Sequence, residues 1–222
     1  PDPQWFNENV FQKNNYQKSE MSLTHTLTIH LDLEQLPKKL FSSFSENARR
    51  NIKKAQRKNL KVKKVFLKEE KNDEEFKKFY TLLTNLTKLK KFYVPGYQEF
   101  YKKMLAFKNS SILLFACYDN EPIAAVWLGI LGDTAVYMNT GITEEGYKLL
   151  ANYLLVWESL QLAQKLHLKI YDFEGLFDPR FPKNRPSWKK FSEFKRRFHG
   201  TLVEYPSPYI KWYSICISSY IL

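Results

Sequence analysis

Two dense runs of cationic side chains carry the most conspicuous chemistry in this sequence. Twelve Lys or Arg lie between Lys38 and Lys68 against Glu46 alone, and eight lie between Arg180 and Arg197 against Glu193 alone. Fields of that density favour a polyanion such as nucleic acid, nucleotide phosphates or anionic lipid. In the first run Arg49, Arg50, Lys53 and Arg57 recur at helical spacing, which sets them on one side of a helix. In the second, Lys189, Lys190, Lys195, Arg196 and Arg197 crowd together. Asp172 and Glu174 close an apolar run, where a carboxylate either exchanges a proton with a substrate or caps a neighbouring Arg. Nucleophilic catalysis has little support. Cys117 sits inside an apolar stretch with no His at a local spacing, and His167 and His199 are isolated, so neither an activated thiol nor a triad is indicated. Four scattered His and two Cys show no zinc spacing.

The elements that must position these groups belong to an ordinary globular chain. Its 222 residues are 44% hydrophobic and 26% charged, which excludes wholesale disorder. The net charge of +12 is lopsided: residues 1–110 carry +11 and residues 111–222 carry +1. No 18-residue apolar run suggests a transmembrane helix. The start, Pro1-Asp2-Pro3-Gln4, lacks the basic and apolar parts of a signal peptide. Cys117 and Cys216 make no disulfide framework and suit buried thiols in a reducing compartment. A cytoplasmic protein is expected.

Residues 1–22 have no sustained period and predict an extended arm; residues 23–222 predict a single domain. From 24 to 33 the chain alternates, with Leu27, Ile29, Leu31 and Leu33 on one face, as in a half-buried strand with His25 and His30 at the surface. Leu40, Phe44, Ala48 and Ile52 recur every fourth residue and predict one helix over 36–59. A strand over 61–68 follows. Next comes a helix opened by Asn72-Asp73, with Phe76, Phe79, Leu83, Leu86 and Leu89 inward, and then a short aromatic helix over 97–107. Residues 112–118, 123–131 and 134–139 read as three antiparallel strands, the last two joined by a hairpin at Gly132-Asp133. A long helix over 146–166 and a strand over 168–173 complete a crossover, so the strands at 134–139 and 168–173 are parallel, with carboxyl ends on one edge. Ligands in such sheets favour that edge. A helix over 187–198 and an extended piece over 201–212 end the chain. This order predicts a mixed α/β fold, mostly antiparallel with one splayed parallel pair. It resembles the acyltransferase fold called GNAT, whose acyl donor lies where the two parallel strands part.

Three segments resemble the Fem family, bacterial transferases that move amino acids from aminoacyl-tRNA onto peptidoglycan precursors. They are Ser45-Glu46-Asn47-Ala48-Arg49-Arg50-Asn51-Ile52-Lys53-Lys54-Ala55, Tyr171-Asp172-Phe173-Glu174-Gly175, and Phe191-Ser192-Glu193-Phe194-Lys195-Arg196-Arg197-Phe198-His199-Gly200. The resemblance spans residues 23–212 and fits the second of the two lobes that typical members carry. His199 stands where the family has Gly.

The resemblance implies aminoacyl-tRNA as donor, the stem peptide of a UDP-linked or lipid-linked precursor as acceptor, and neither a metal nor a tightly held cofactor. It also allows peripheral contact with the inner membrane face. Lys195 is marked as the charge for the oxyanion or leaving oxygen, and Asp172 as the group that takes the proton of the attacking ammonium, with Glu174 beside it. Phe194 either stacks on a base or ribose or packs with Phe191 and Phe198. Tyr137 either bonds the peptide acceptor or packs in its strand, and Tyr101 joins the substrate-binding set. Arg49, Arg50, Lys53, Arg57, Lys189, Lys190, Arg196 and Arg197 are expected to meet tRNA phosphates. Two alternatives stay open: an acyl-CoA-dependent N-acyltransferase, and a non-catalytic Fem-like lobe that binds RNA or phosphate. An acyl-CoA enzyme of this fold needs a glycine-rich turn before the long helix, to cradle a pyrophosphate. Here Gly141 and Gly146 flank Glu144 and Glu145, which would repel one.

Overall fold

The computed structural model describes residues 7–67, 72–90 and 93–213. In chain order the elements are α1 (Glu8–Lys13), β1 (Gln17–Lys18), β2 (Leu27–Asp32), α2 (Pro37–Ser43), α3 (Glu46–Gln56), β3 (Lys61–Phe66), α4 (Asp73–Lys90) and α5 (Tyr97–Ala106). Then come β4 (Ser111–Tyr118), β5 (Glu121–Leu131), β6 (Thr134–Ile142), α6 (Glu144–Lys148), α7 (Ala151–Lys165), β7 (Ile170–Asp172), α8 (Lys189–Arg196), β8 (Thr201–Glu204) and β9 (Tyr209–Ile210). They pack as two compact units. One comprises His30–Phe173 and Arg197–Gly200; the other comprises the segments up to Ile29, Glu174–Arg196 and from Thr201 onward.

In the larger unit the strands run β3-β4-β5-β6-β7 and then the His30–Asp32 end of β2. Every pairing is antiparallel except β6 with β7, which is the expected parallel pair. The continuous apolar runs of β4 and β5 are explained by burial on both faces. Helices α4 and α5 supply Phe76, Phe79, Leu83, Phe100 and Met104 to a core with Leu113, Phe115 and Trp127. Helix α3 packs on α7, burying Ala48, Ile52 and Ala55. Two buried polar pairs lie in this unit: Trp127 Nε1 donates to Ser111 Oγ at 2.8 Å, and the Tyr171 hydroxyl lies 2.6 Å from Ser159 Oγ.

The smaller unit is built on the Leu27–Ile29 end of β2. Tyr205 N, just past β8, donates to Thr26 O, and Leu176 N donates to Leu27 O. Asp178 is its staple, 5% exposed. It accepts from Thr26 Oγ1 at 2.7 Å and from the Arg180 guanidinium, which also reaches Thr26 O. Strands β1 and β9 pair as a ribbon, with the Phe11 ring of α1 on Tyr209 at 4.9 Å.

Four local expectations are corrected. The helix expected over 36–59 is two helices. Phe44 turns extended (ψ 155°), and Ser45 restarts the chain as an N-cap, its Oγ accepting from Ala48 N; the apolar stripe holds on both pieces because Leu40, Phe44, Ala48 and Ile52 are all buried. The helix expected over 146–166 breaks at Leu150, whose φ of 61° is left-handed. In place of an extended arm, Glu8–Lys13 is helical, capped by Asn7 Oδ1 on Asn9 N. The strand at 24–33 is not half-buried: Thr26 and Thr28 are buried along with the leucines. The inward placement of the Leu89 side chain and the burial of Cys216 lie outside the described residues.

Candidate active site

Strand β7 pairs with β6 over only three residues, the last being Val136 with Asp172. Beyond it β6 runs six residues further, to Ile142. Among the described residues, no strand pairs with that side of β6 past Val136. The register with β5 skips Met138, so a bulge bends β6 just beyond the last parallel pair.

Asp172 ends β7, 8% exposed and cross-strand from His30. His30 Nε2 lies 3.4 Å from Asp172 Oδ2, a close approach without hydrogen-bond geometry. Tyr137 is buried on β6 between Tyr171 and Phe173 at 6.3 and 5.6 Å. Burial pushes its hydroxyl well above the usual tyrosine value, against a hydrogen bond with Thr140 that pulls it down, so it acts here as a neutral group. Tyr101 is placed elsewhere. Its hydroxyl donates to Asp73 Oδ1 at 2.5 Å, where α4 starts, and the ring stands against Phe76. That is the edge where β3 ends and β4 begins, away from the carboxyl end of β6; the bond to Asp73 and burial raise its pKa.

Lys195 is the notable group of the smaller unit. It is 1% exposed, one of the largest fully buried side chains. Its Nζ donates to Gly175 O at 2.9 Å and stands 3.9 Å from the centre of the Phe191 ring. A buried amino group is costly unless it is hydrogen-bonded. Glu174 takes a left-handed φ of 59°, and its carbonyl accepts from Thr28 Oγ1 at 2.7 Å. A Cβ on Gly175 would strike the Trp188 ring and His25. Ser192 Oγ accepts from Phe177 N and donates to Trp188 O. Sequence reasoning missed Gly175, Ser192 and Phe191 as parts of this arrangement, although all three lie within the motifs that drew attention to Lys195. The three aromatics of the last motif do not form one core stripe: Phe198 is buried against Phe44 and Phe173, Phe191 is 37% exposed, and Phe194 is half-buried.

The basic residues divide by what already holds them. Arg50, Lys53 and Arg57 are exposed on and just after α3, as are Lys189, Lys190 and Arg196 on α8. Arg49 is spent on the chain itself, closing the end of α2 by donating to Ser42 O and Phe44 O. Arg197 bonds the Tyr153 hydroxyl and Asn47 Oδ1. The two glycines at the junction of β6 and α6 are packed against the chain. A Cβ on Gly141 would strike the backbone of Leu82 and Leu83 on α4, and one on Gly146 would strike Ile123 O. Gly146 N already donates to Thr143 Oγ1. Both glycines serve packing, and the exposed Glu144 and Glu145 occupy the first turn of α6. Among the described residues no group of His, Cys, Asp or Glu could hold a metal, and no helix is long and apolar enough to cross a membrane.

Residues 46–190 match the family model described as an acetyltransferase (GNAT) domain. No curated protein matches the sequence. Among solved structures, FemX is similar with a TM-score of 0.75 at 12% identity, covering 90% of this chain and 67% of that one. The C-terminal domain of a proposed lysylphosphatidylglycerol synthetase from Agrobacterium fabrum gives 0.62 at 10% identity, covering 88% and 61%. L-PGS from Bacillus licheniformis gives 0.60 at 10%, covering 87% and 62%. The chain spans about two thirds or less of the length of these relatives. At such identities they show the fold, which is Fem-like GNAT.

Proposed function

The chain belongs to the acetyltransferase (GNAT) domain family, and from that premise we propose that this acyltransferase takes its acyl group from an aminoacyl-tRNA and passes it to an amine on the stem peptide of a peptidoglycan precursor. The observation that carries the choice of donor is the β6–α6 connection. Its two glycines are buried under α4 and β5, and its first helical turn is acidic, so a CoA pyrophosphate has neither the open backbone nor the field it needs. The exposed cations of α3 and α8 suit an RNA backbone instead. The motif resemblance and the FemX-like fold support the same reading.

In the reaction the neutral amine attacks the ester carbonyl carbon. The new C–N bond forms, the bond from carbonyl carbon to ribose oxygen breaks, and the ribose oxygen leaves with a proton. Lys195 is assigned to the negative charge that develops on the carbonyl or departing oxygen. Its Nζ donates to Gly175 O, which fixes where the group sits. Asp172 is assigned the proton that the nitrogen sheds once the C–N bond has formed, and that proton ends on the departing ribose oxygen. Phe194 is assigned to the terminal nucleoside, with Tyr137 and Glu174 on the acceptor. The donor and precursor place the reaction in the cytoplasm.

The test is incubation with charged bulk tRNA and a soluble muropeptide, read by mass spectrometry. A mass gain of one aminoacyl residue on the muropeptide is expected. Product formed from acyl-CoA in a parallel arm, with none from tRNA, would overturn the reading. Binding of aminoacyl-tRNA without product would make the chain an RNA-binding lobe.

A further inference from the structure

We infer that a small cavity of the smaller unit, built on Arg185 and Trp188, is a site for one phosphate group of a nucleic acid or a nucleotide. Its two sources, a phosphodiester of the tRNA and the diphosphate of a UDP-linked precursor, rest on the substrates proposed above; the site itself does not. The cavity measures about 10 Å³, and Thr24, Asp178, Asn184, Arg185 and Trp188 line it. A space of that size holds about one water-sized group. It therefore admits an oxygen of an anion and is too small for a base or a sugar.

The charge and the donors of the lining favour an anion. Arg185 takes a left-handed φ of 54°, uncommon for a residue with a side chain, and its guanidinium lies 4.5 Å from the centre of the Trp188 ring. One amino group donates to Leu23 O at 2.7 Å; among the described residues the other N–H groups of this fork have no acceptor. A guanidinium stacked on a ring keeps its edge for an oxyanion, and the planar fork matches two phosphate oxygens. Trp188 Nε1, a donor only, also has no acceptor among the described residues and is not sealed from solvent. Asp178 on the wall is offset by its own arginine, Arg180, at 2.6 Å. That leaves Arg185 and the exposed Lys183, Lys189 and Lys190 beside it in the chain as the local field. Trp188 is held on two sides, its ring against Gly175 and its carbonyl by Ser192 Oγ, so the platform stands before any ligand arrives.

The experiment titrates the 15N-labelled full chain with deacylated bulk tRNA, UDP and inorganic pyrophosphate. It follows the indole N–H signal of Trp188, identified by its loss in Trp188→Phe. A shift with tRNA assigns the phosphate to RNA, and a shift with UDP assigns it to the nucleotide diphosphate. Arg185→Lys keeps the charge but loses the fork, and should weaken the responding probe by about ten- to a hundred-fold. No shift with tRNA or UDP overturns the inference. So does a response to pyrophosphate alone, which would be an adventitious ion only. Wild-type affinity in Arg185→Lys overturns it as well, by making Arg185 one more surface charge. No arm needs turnover, so an indifferent indole signal leaves the transfer reading untouched, and a failed transfer leaves this site standing.

Discussion

Lys195 and Lys190 carry the same formal charge five residues apart, yet one is sealed and the other exposed. The sequence marks both as members of one basic block; burial separates them, and no spacing rule could have shown it. Removing a donor aimed at a developing oxyanion costs about 2.7–4 kcal/mol, a hundred- to a thousand-fold in rate. Lys195→Ala should therefore bind tRNA nearly as well and transfer very slowly. Lys190→Ala should lose affinity and rate together, as measured by single-turnover transfer beside tRNA binding. Equal losses in both variants, in step with affinity, would reduce Lys195 to a docking charge. Asp178 gives a second residue-scale outcome. Burial alone would raise its pKa, but the hydrogen bonds from Arg180 and Thr26 prevail and hold it below the usual carboxylate value. A carboxylate with a lowered folded pKa contributes stability above its unfolded value, and that contribution disappears as pH falls through the folded one. Asp178→Asn should cost about 1–3 kcal/mol near neutrality. The gap in unfolding midpoint between the two proteins should close in acid, below about pH 4. A constant gap would assign the loss to packing.

At the scale of elements, the apolar periodicities were legible and the breaks between them were not. The stripe from Leu40 to Ile52 is continuous in sequence because both helices turn the same face inward; the break at Phe44–Ser45 is signalled only by a serine able to cap. Leu150 in the left-handed region has no local signal at all, since leucine neither favours that conformation nor relieves it. His199 differs. Its φ of 49° is a conformation that favours glycine, so the His is the exceptional residue there, and the ring reaches Ser43 O at 2.8 Å. Gly141 reads as part of a phosphate turn until α4 is seen lying across it. Gly141→Ala should therefore destabilise the fold by about 1–3 kcal/mol through overpacking. Acyl-CoA should leave the thermal unfolding of the wild-type protein unchanged. A CoA-dependent rise in the midpoint, lost in Gly141→Ala, would restore the phosphate cradle and the acyl-CoA donor.

At the scale of the molecule, the charge of +12 concentrates in the first half of the chain, and the structure divides that charge into bound and available. Composition raises the expectation of a polyanion partner, but it could not say which arginines were already committed, because a guanidinium closing a helix end and one facing solvent look alike in sequence. Arg49 is committed to Ser42 O and Phe44 O. Arg50, Lys53 and Arg57 are exposed, with Lys53 above the Phe41 ring at 5.9 Å. Each phosphate neutralised releases condensed counterions, so each lost contact should flatten the log–log salt dependence of tRNA binding by about 0.7–0.9. Arg50→Ala with Lys53→Ala should flatten it by about 1.4–1.8 and leave the unfolding midpoint nearly unchanged. Arg49→Ala should do the reverse, keeping the slope while costing about 1–3 kcal/mol, because it strips donors from two carbonyls at the end of α2. Titrations of tRNA across a salt series, paired with thermal unfolding, separate the two. A slope unmoved by Arg50 and Lys53 would make the α3 cluster ordinary surface charge; a slope that falls on loss of Arg49 would mean that its guanidinium leaves the helix end to meet the RNA.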